Sequence, residues 1–241
     1  TYKDHPSPVY PGFFRGVSNN LNITAMECFI DECAIEAGKD PLDYRLNMLE
    51  MKSKKYPLSV YSTGAGISTG KRMKAVLEML KEKSGWGDSL SPGEGKGLAL
   101  MEAYNTVVAA IVEVSVSDAY DVVVNRVVTV VDAGVIIRPD QALAQVEGCI
   151  NMGMSAALWG EITVEDGKIQ QDNFDSYRVA RINENPRDMS VHFIEGDGSY
   201  VGGLGEPVTA AVQPAIGNAI FNACGKRVRQ LPFTPENING A

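Results

Sequence analysis

The spacing of apolar residues changes character after Gly87, and that change most limits the folds open to this chain. Before it, apolar side chains recur every three or four residues, the period of one helix face. From about Asn20 to Ala37 the series is Ile23, Met26, Phe29/Ile30, Cys33 and Ala37, and Gly38 suits the position just past a helix end. Asp40-Pro41 opens a second helix, with Asp40 as N-cap, Pro41 in the first turn, and Leu42, Arg45/Leu46 and Leu49 following. Residues 52–70 read as a loop. Thr69 is a candidate cap for a third helix carrying Met73, Val76, Leu77 and Leu80, which stops near Ser84-Gly85.

After Gly87 the pattern becomes strand-like. Asp88–Gly97 holds three glycines and a proline and reads as a linker between subdomains. Strands are predicted at Gly97–Met101, Val107–Val116 and Asp121–Val131, the last two joined as a hairpin through residues 117–120. Pro139–Leu158 reads as a long helix with internal glycines at 148 and 153, where either a helix–sheet crossing or a ligand comes close. Glu165-Asp166-Gly167 is a hairpin turn, and Val191–Ile194 a short strand. A helix from Pro207 to Cys224, closed by Gly225, is expected to kink or restart at Pro214. The fold class is therefore α+β, with mixed or antiparallel sheets and packed helices. Its expected division is a helical segment over residues 1–87 and an α+β subdomain over 88–241.

Composition narrows the function. The 241 residues are 44% hydrophobic and 22% charged, which suits a globular chain with a real core. A net charge of -8 without a basic cluster argues against nucleic acid as a partner. No apolar run is long enough for membrane insertion as a helix. Cys28, Cys33, Cys149 and Cys224 form no CxxC pair and read as small buried hydrophobes. His5 and His192 have no metal-ligand spacing, so no protein-ligated metal is expected. The opening residues, with three prolines and no start methionine, do not read as a natural beginning.

The chemistry-bearing stretch is Gly202-Gly203-Leu204-Gly205-Glu206-Pro207. Glycines let backbone come close to a ligand and expose its amides. Glu206 precedes a proline at the first helical position, where the helix dipole favours an ionised carboxylate. Such a carboxylate is either a general base or simply an N-cap. Arg15, in Phe13-Phe14-Arg15-Gly16, is an anion clamp or the partner of a nearby carboxylate. Gln145-Val146-Glu147-Gly148 is a polar interruption of an apolar helix, facing a site or solvent. No GxSxG is present, so serine hydrolysis has little support. A cofactor-free hydrolase using Glu206 lacks any identifiable nucleophile or oxyanion partner.

Taken in order, several segments resemble one family. They are Phe14-Arg15-Gly16-Val17 followed by residues 27–32, the DPxxxR-like Asp40-Pro41 to Arg45, Val131-Asp132-Ala133-Gly134 with Arg138-Pro139, Gln145-Val146-Glu147-Gly148, and Gly205-Glu206-Pro207. Together they resemble the molybdopterin-binding subunits of molybdenum hydroxylases, the xanthine dehydrogenase and aldehyde oxidoreductase family. The isoquinoline 1-oxidoreductase beta subunit is the branch most like them. The resemblance runs from about Gly12 to Phe233 and implies the C-terminal part of an aldehyde oxidase/xanthine dehydrogenase molybdopterin-binding domain.

The resemblance implies hydroxylation of an aldehyde or N-heterocycle at carbon, with water as the oxygen source. Glu206 is then the base that takes a proton from a molybdenum-bound hydroxyl. Arg15, Gly16, Gln145, Gly148, Gly203, Leu204 and Gly205 are then cofactor-binding. The implied cofactor is molybdopterin cytosine dinucleotide with molybdenum. The implied partners are the N-terminal half of the same subunit, which carries GGFGGK and GQG loops missing here, and an iron–sulfur subunit. Four cysteines in this arrangement cannot hold such clusters themselves. Met152 and Val17 depart from the glutamine and phenylalanine of the xanthine branch, which argues against a purine substrate.

The chain is accordingly expected to be inactive alone, and a cytoplasmic location is favoured over a periplasmic one. An exposed apolar patch near Arg15 and Glu206 is expected, covered by the missing half or by a homodimer. The competing expectation is a non-enzymatic scaffold or assembly fragment that keeps the fold.

Overall fold

A computed structural model describes residues 12–50, 69–196 and 198–241. The predicted loop over 52–70 falls almost entirely outside them, as does His5. The elements in chain order are α1 (Asn19–Glu36), α2 (Pro41–Glu50), α3 (Thr69–Ser84), β1 (Glu94–Ala103), β2 (Thr106–Val116), β3 (Val122–Asp132), α4 (Pro139–Leu158), β4 (Val164–Glu165), β5 (Lys168–Ile169), β6 (Asp188–Phe193), α5 (Pro207–Cys224) and α6 (Pro235–Asn239).

The main sheet has strand order β1-β2-β3-β6. The first three strands pair antiparallel, and β6 joins β3 in parallel. Successive side chains on a strand point to opposite faces, and here both faces are covered. Ala99, Met101, Val108, Ala110 and Val112 face a core shared with α4 and α5. Leu98, Leu100, Val107, Ala109 and Ile111 face a second core built on Leu42, Met73, Val76, Leu77 and Leu80 of α2 and α3. Double coverage is why these strands read as near-continuous apolar runs rather than alternating ones.

Helix α5 is the spine of the molecule. It lies across β1 and β2 and is packed from the other side by α1 and α4. Residues Pro207 to Ile220 are all buried. Of the expected kink or restart at Pro214, the restart does not occur; α5 runs through it as one helix. Contacts on every face of the helix outweigh the roughly 3 kcal/mol that an interior proline costs.

The predicted linker over Asp88–Gly97 is also corrected, because β1 already begins at Glu94. Gly95 and Gly97 sit inside the strand, where a side chain at 97 would strike the Ala215 and Ala219 backbone. They are glycines for close packing, not for a turn. The free edge of β1 is closed by side chains. The Leu100 amide donates to Glu27 Oε2 (2.8 Å), Asn218 Nδ2 donates to the Leu98 carbonyl (3.0 Å), and the Lys96 amide donates to Asn222 Oδ1 (3.2 Å). Glu27 is held in turn by buried Arg45 (Nε–Oε2 3.0 Å). Burial pushes the Glu27 carboxyl above the usual range despite that arginine.

Other local expectations are met. Asp40 Oδ1 accepts from the Leu42 and Asp43 amides, both at 2.9 Å, and so caps α2. Gly225 ends α5 in the left-handed region at φ 74°. The β2–β3 hairpin closes with the Ser117 amide on the Asp121 carbonyl (3.0 Å). The four cysteines are free thiols, but only Cys149 is buried as expected; Cys28, Cys33 and Cys224 are partly exposed.

Candidate functional site

The turn before α1, the glycine ridge before α5, the first half of α4 and the β1–β2 turn meet at one surface. Four elements far apart in sequence are brought together there by α5 and the sheet.

The turn over residues 14–18 has unusual backbone. Gly16 has φ 100°, and a Cβ there would lie 2.5 Å from Asn20 Oδ1, so only glycine fits. Val17 also has positive φ, at 49°. Asn20 stitches this turn in place: its Nδ2 donates to the Arg15 carbonyl (2.8 Å) and Val17 carbonyl (3.2 Å), and its Oδ1 accepts from Gln213 Nε2 of α5 (2.8 Å).

Within the chain, the described partners of the Arg15 guanidinium are backbone carbonyls and one amide oxygen. Its Nε donates to the Gly205 carbonyl, and its Nη2 donates to the Gln145 carbonyl and to Gln145 Oε1, both at 3.1 Å. The guanidinium thus ties the ridge to α4. Gly148 provides the room: a Cβ there would sit 3.1 Å from Arg15 Nη1. The second α4 glycine, Gly153, has a different cause, since its missing Cβ would meet the Thr209 carbonyl oxygen of α5 at 2.6 Å. The buried Cys149 thiol lies under the ridge, 3.3 Å from the Gly205 carbonyl.

The ridge itself is held from below. Gly202 N donates to the Ala133 carbonyl (2.7 Å), Gly203 N to the Tyr104 carbonyl (2.8 Å), and Thr106 Oγ1 to the Gly203 carbonyl (2.7 Å). Gly203 and Gly205 are exposed, and a Cβ at Gly205 would find only Gln145 Oε1, 3.9 Å away. Upstream, buried Asp132 receives Arg72 Nε (2.9 Å), the Gly134 amide (3.2 Å) and the Tyr200 hydroxyl. Arg72 also lies over the Tyr200 ring, 4.3 Å from its centre. Burial first, and then the bond to Asp132, push the Tyr200 hydroxyl up to about 12.

Glu206 occupies the N-cap position of α5 but makes no side-chain cap. Its Oε2 instead accepts from the Gly16 amide (3.0 Å) and the Tyr104 hydroxyl (2.8 Å). The half-buried carboxylate is therefore aimed across the site by two donors from distant elements. Phe13, Phe14 and Val17, which flank Arg15 in the chain, and Leu143, two residues before Gln145, are exposed.

All eight predicted site residues thus come together. Arg15, Gly16, Gln145, Gly148, Gly205 and Glu206 are linked by direct contacts, while Gly203 and Leu204 complete the ridge. Tyr104 was missed, and so was the Arg72–Asp132–Tyr200 clamp. The only sequence signal for Tyr104 was its place, with Asn105, between two strand runs. His192 sits on β6 and belongs to no metal cluster; no such cluster occurs among the described residues. Nor is any described helix long and apolar enough to cross a membrane.

Comparison with known proteins shows the family. The model of the molybdopterin cofactor-binding domain matches residues 35–186. Among curated relatives, the chain is 35% identical to the membrane-bound aldehyde dehydrogenase [pyrroloquinoline-quinone] of Gluconacetobacter polyoxogenes, over 95% of this chain and 30% of that protein. It is 31% identical to the isoquinoline 1-oxidoreductase subunit beta of Brevundimonas diminuta, over 92% of this chain and 26% of that one. The chain therefore spans under a third of these relatives. The fold matches the aldehyde oxidoreductase of Desulfovibrio gigas with a TM-score of 0.74 at 14% identity, covering 97% of this chain and 42% of that one. A mixed helix-and-sheet fold and a family match over most of its length have one meaning: the chain belongs to the molybdopterin cofactor-binding domain family, alongside the molybdenum-binding subunits of aldehyde oxidoreductases and xanthine dehydrogenases.

Proposed function

We propose that this chain supplies the catalytic carboxylate and one wall of the cofactor site of a molybdenum hydroxylase acting on an aldehyde or an N-heterocycle. The observation that carries the proposal is Glu206: an N-cap carboxylate that leaves its own helix uncapped and is held instead by Gly16 N and the Tyr104 hydroxyl at the rim of an exposed ridge.

The residues present fit a molybdopterin cofactor; its cytosine dinucleotide form is proposed from the resemblance alone. Gly203 and Gly205 leave backbone uncovered, and the space beside Gly205 is open up to Gln145 Oε1. Uncovered backbone and a primary amide are donors and acceptors suited to a polar, phosphate-bearing cofactor. When bound, the molybdenum centre supplies the two-electron redox chemistry. The chain's own part is proton handling and orientation. Both described bonds to Glu206 fall on Oε2, so Oε1 is the oxygen that accepts the proton. Arg15 fixes the carbonyl of Gly205, the residue before the base, and thereby its approach angle. The N-terminal half of the subunit completes the cofactor site, and an iron–sulfur subunit carries the electrons away; without them the chain is inactive.

A second reading follows from a relative's printed cofactor, pyrroloquinoline quinone. We favour molybdenum because the family model that matches residues 35–186 is a molybdopterin model. The scaffold alternative keeps the same fold without turnover. One experiment separates all three: purification from the native host, with molybdenum analysis and intact masses of every co-purifying chain. The proposal requires molybdenum and a partner chain. Glu206→Gln should then lower kcat by about 10²-fold or more while molybdenum content stays unchanged. A quinone without molybdenum, or turnover by Glu206→Gln at the wild-type rate, refutes it.

A further inference from the structure

The β1–β2 turn is built from two residues poorly suited to it. Tyr104 and Asn105 both have positive φ, 56° and 61°. That is a type I′ turn, the two-residue connection whose twist matches antiparallel strands and which favours Asn-Gly. Asparagine tolerates this backbone; a tyrosine at its first position is strained, at a cost that persists only where surrounding structure fixes it.

The surroundings fix it from the ridge side. Gly203 N donates to the Tyr104 carbonyl (2.8 Å), and Asn105 Nδ2 reaches the Val201 carbonyl (3.4 Å). A Cβ on Gly203 would sit 3.1 Å from Tyr104 Cβ, and one on Gly202 would lie 2.6 Å from the Asn105 carbonyl oxygen. The turn and the ridge are thus shaped against each other. Together they hold the Tyr104 hydroxyl 2.8 Å from Glu206 Oε2.

We propose that Tyr104 is a positioning residue for Glu206: the strained turn exists to deliver a hydroxyl that fixes the carboxylate, with the Gly16 amide as the second donor. Two donors on one oxygen set both the rotamer of Glu206 and which oxygen is turned toward the site. With only the Gly16 amide remaining, the carboxylate can rotate about its last torsions, which are broad for glutamate. The catalytic use of the contact rests on the assignment of Glu206 as base; the contact itself does not.

Two measurements test this. In the 241-residue chain labelled with [13Cζ]tyrosine, the resonance lost in Tyr104→Phe identifies Tyr104. Glu206→Gln should move that resonance and leave the Tyr200 resonance, paired with Asp132, in place. A Tyr104 signal unmoved by Glu206→Gln overturns the contact. In the complete molybdenum-loaded enzyme, Tyr104→Phe keeps the ring and loses only the hydroxyl. The expected result is a kcat about tenfold lower, with KM within twofold and unchanged molybdenum content. Wild-type kcat in Tyr104→Phe, beside an inactive Glu206→Gln, overturns the positioning role alone. Loss of molybdenum along with kcat overturns it too, in favour of a structural role. An active Glu206→Gln instead removes the base assignment and, with it, the catalytic use of Tyr104.

Discussion

Gly97→Ala is the substitution that most directly tests how β1 and α5 hold the site. A methyl group on Gly97 would sit 2.1 Å from the Ala219 nitrogen, 2.2 Å from the Ala215 carbonyl oxygen and 2.7 Å from the Asn218 carbonyl carbon. Favourable contact between such atoms lies at about 3.5–4.0 Å, so strand and helix must separate by roughly 1.5 Å. Neither is free to yield. Helix α5 is backed by α1 and α4, and β1 is paired along its whole length with β2 and bonded to Asn218 and Asn222. Overpacking against side chains costs about 1–3 kcal/mol; here every obstructing atom is backbone, which puts the cost near 4 kcal/mol.

Removing a strand glycine returns at most about 1 kcal/mol of chain entropy, leaving about 3 kcal/mol of net destabilisation. For a chain of this size that lowers the melting temperature by about 6–12 °C. The assay is thermal unfolding followed by far-UV circular dichroism, with a urea series for the free energy. Gly205→Ala is the control, because its nearest neighbour would be Gln145 Oε1 at 3.9 Å and its stability should change by less than about 0.5 kcal/mol. A Gly97→Ala protein melting within about 2 °C of wild type would refute the close β1–α5 packing.

Two further outcomes are expected. The folded protein holds the Tyr200 proton up to about 12, whereas an unfolded tyrosine releases it near 10. Between those values the folded state binds more protons, so stability falls as pH rises from 10 to 12; Tyr200→Phe should lessen that fall in urea melts at pH 9 and 11.5. Arg72→Ala leaves Asp132 buried without its cation and should cost about 3–5 kcal/mol, whereas an Arg72→Ala protein within 1 kcal/mol of wild type would show that the clamp is dispensable.

Much of the site was legible from residue order. Arg15-Gly16, Gln145 to Gly148 and Gly205-Glu206-Pro207 each carry a local signature, because backbone conformation and helix ends depend on near neighbours. The same holds for the Asp40 cap, the Gly225 stop and the α4 limits. A resemblance across several ordered motifs then supplied the family, which no single motif could.

What sequence order misjudged was decided at a distance. Pro214 and the glycines at 95 and 97 are local breakers, yet they lie inside α5 and β1, because packing on all sides outweighs their local cost. That Arg15 also clasps two backbone segments, 130 and 190 residues away, was not readable from its neighbours in sequence. Tyr104 was invisible as a partner of Glu206, 102 residues on. Short-range sterics and capping write their terms into neighbouring residues, so sequence by itself determined the elements and the candidate list. Which donor meets which carboxylate depends on how α5 lies on the sheet, and only the tertiary structure decided that.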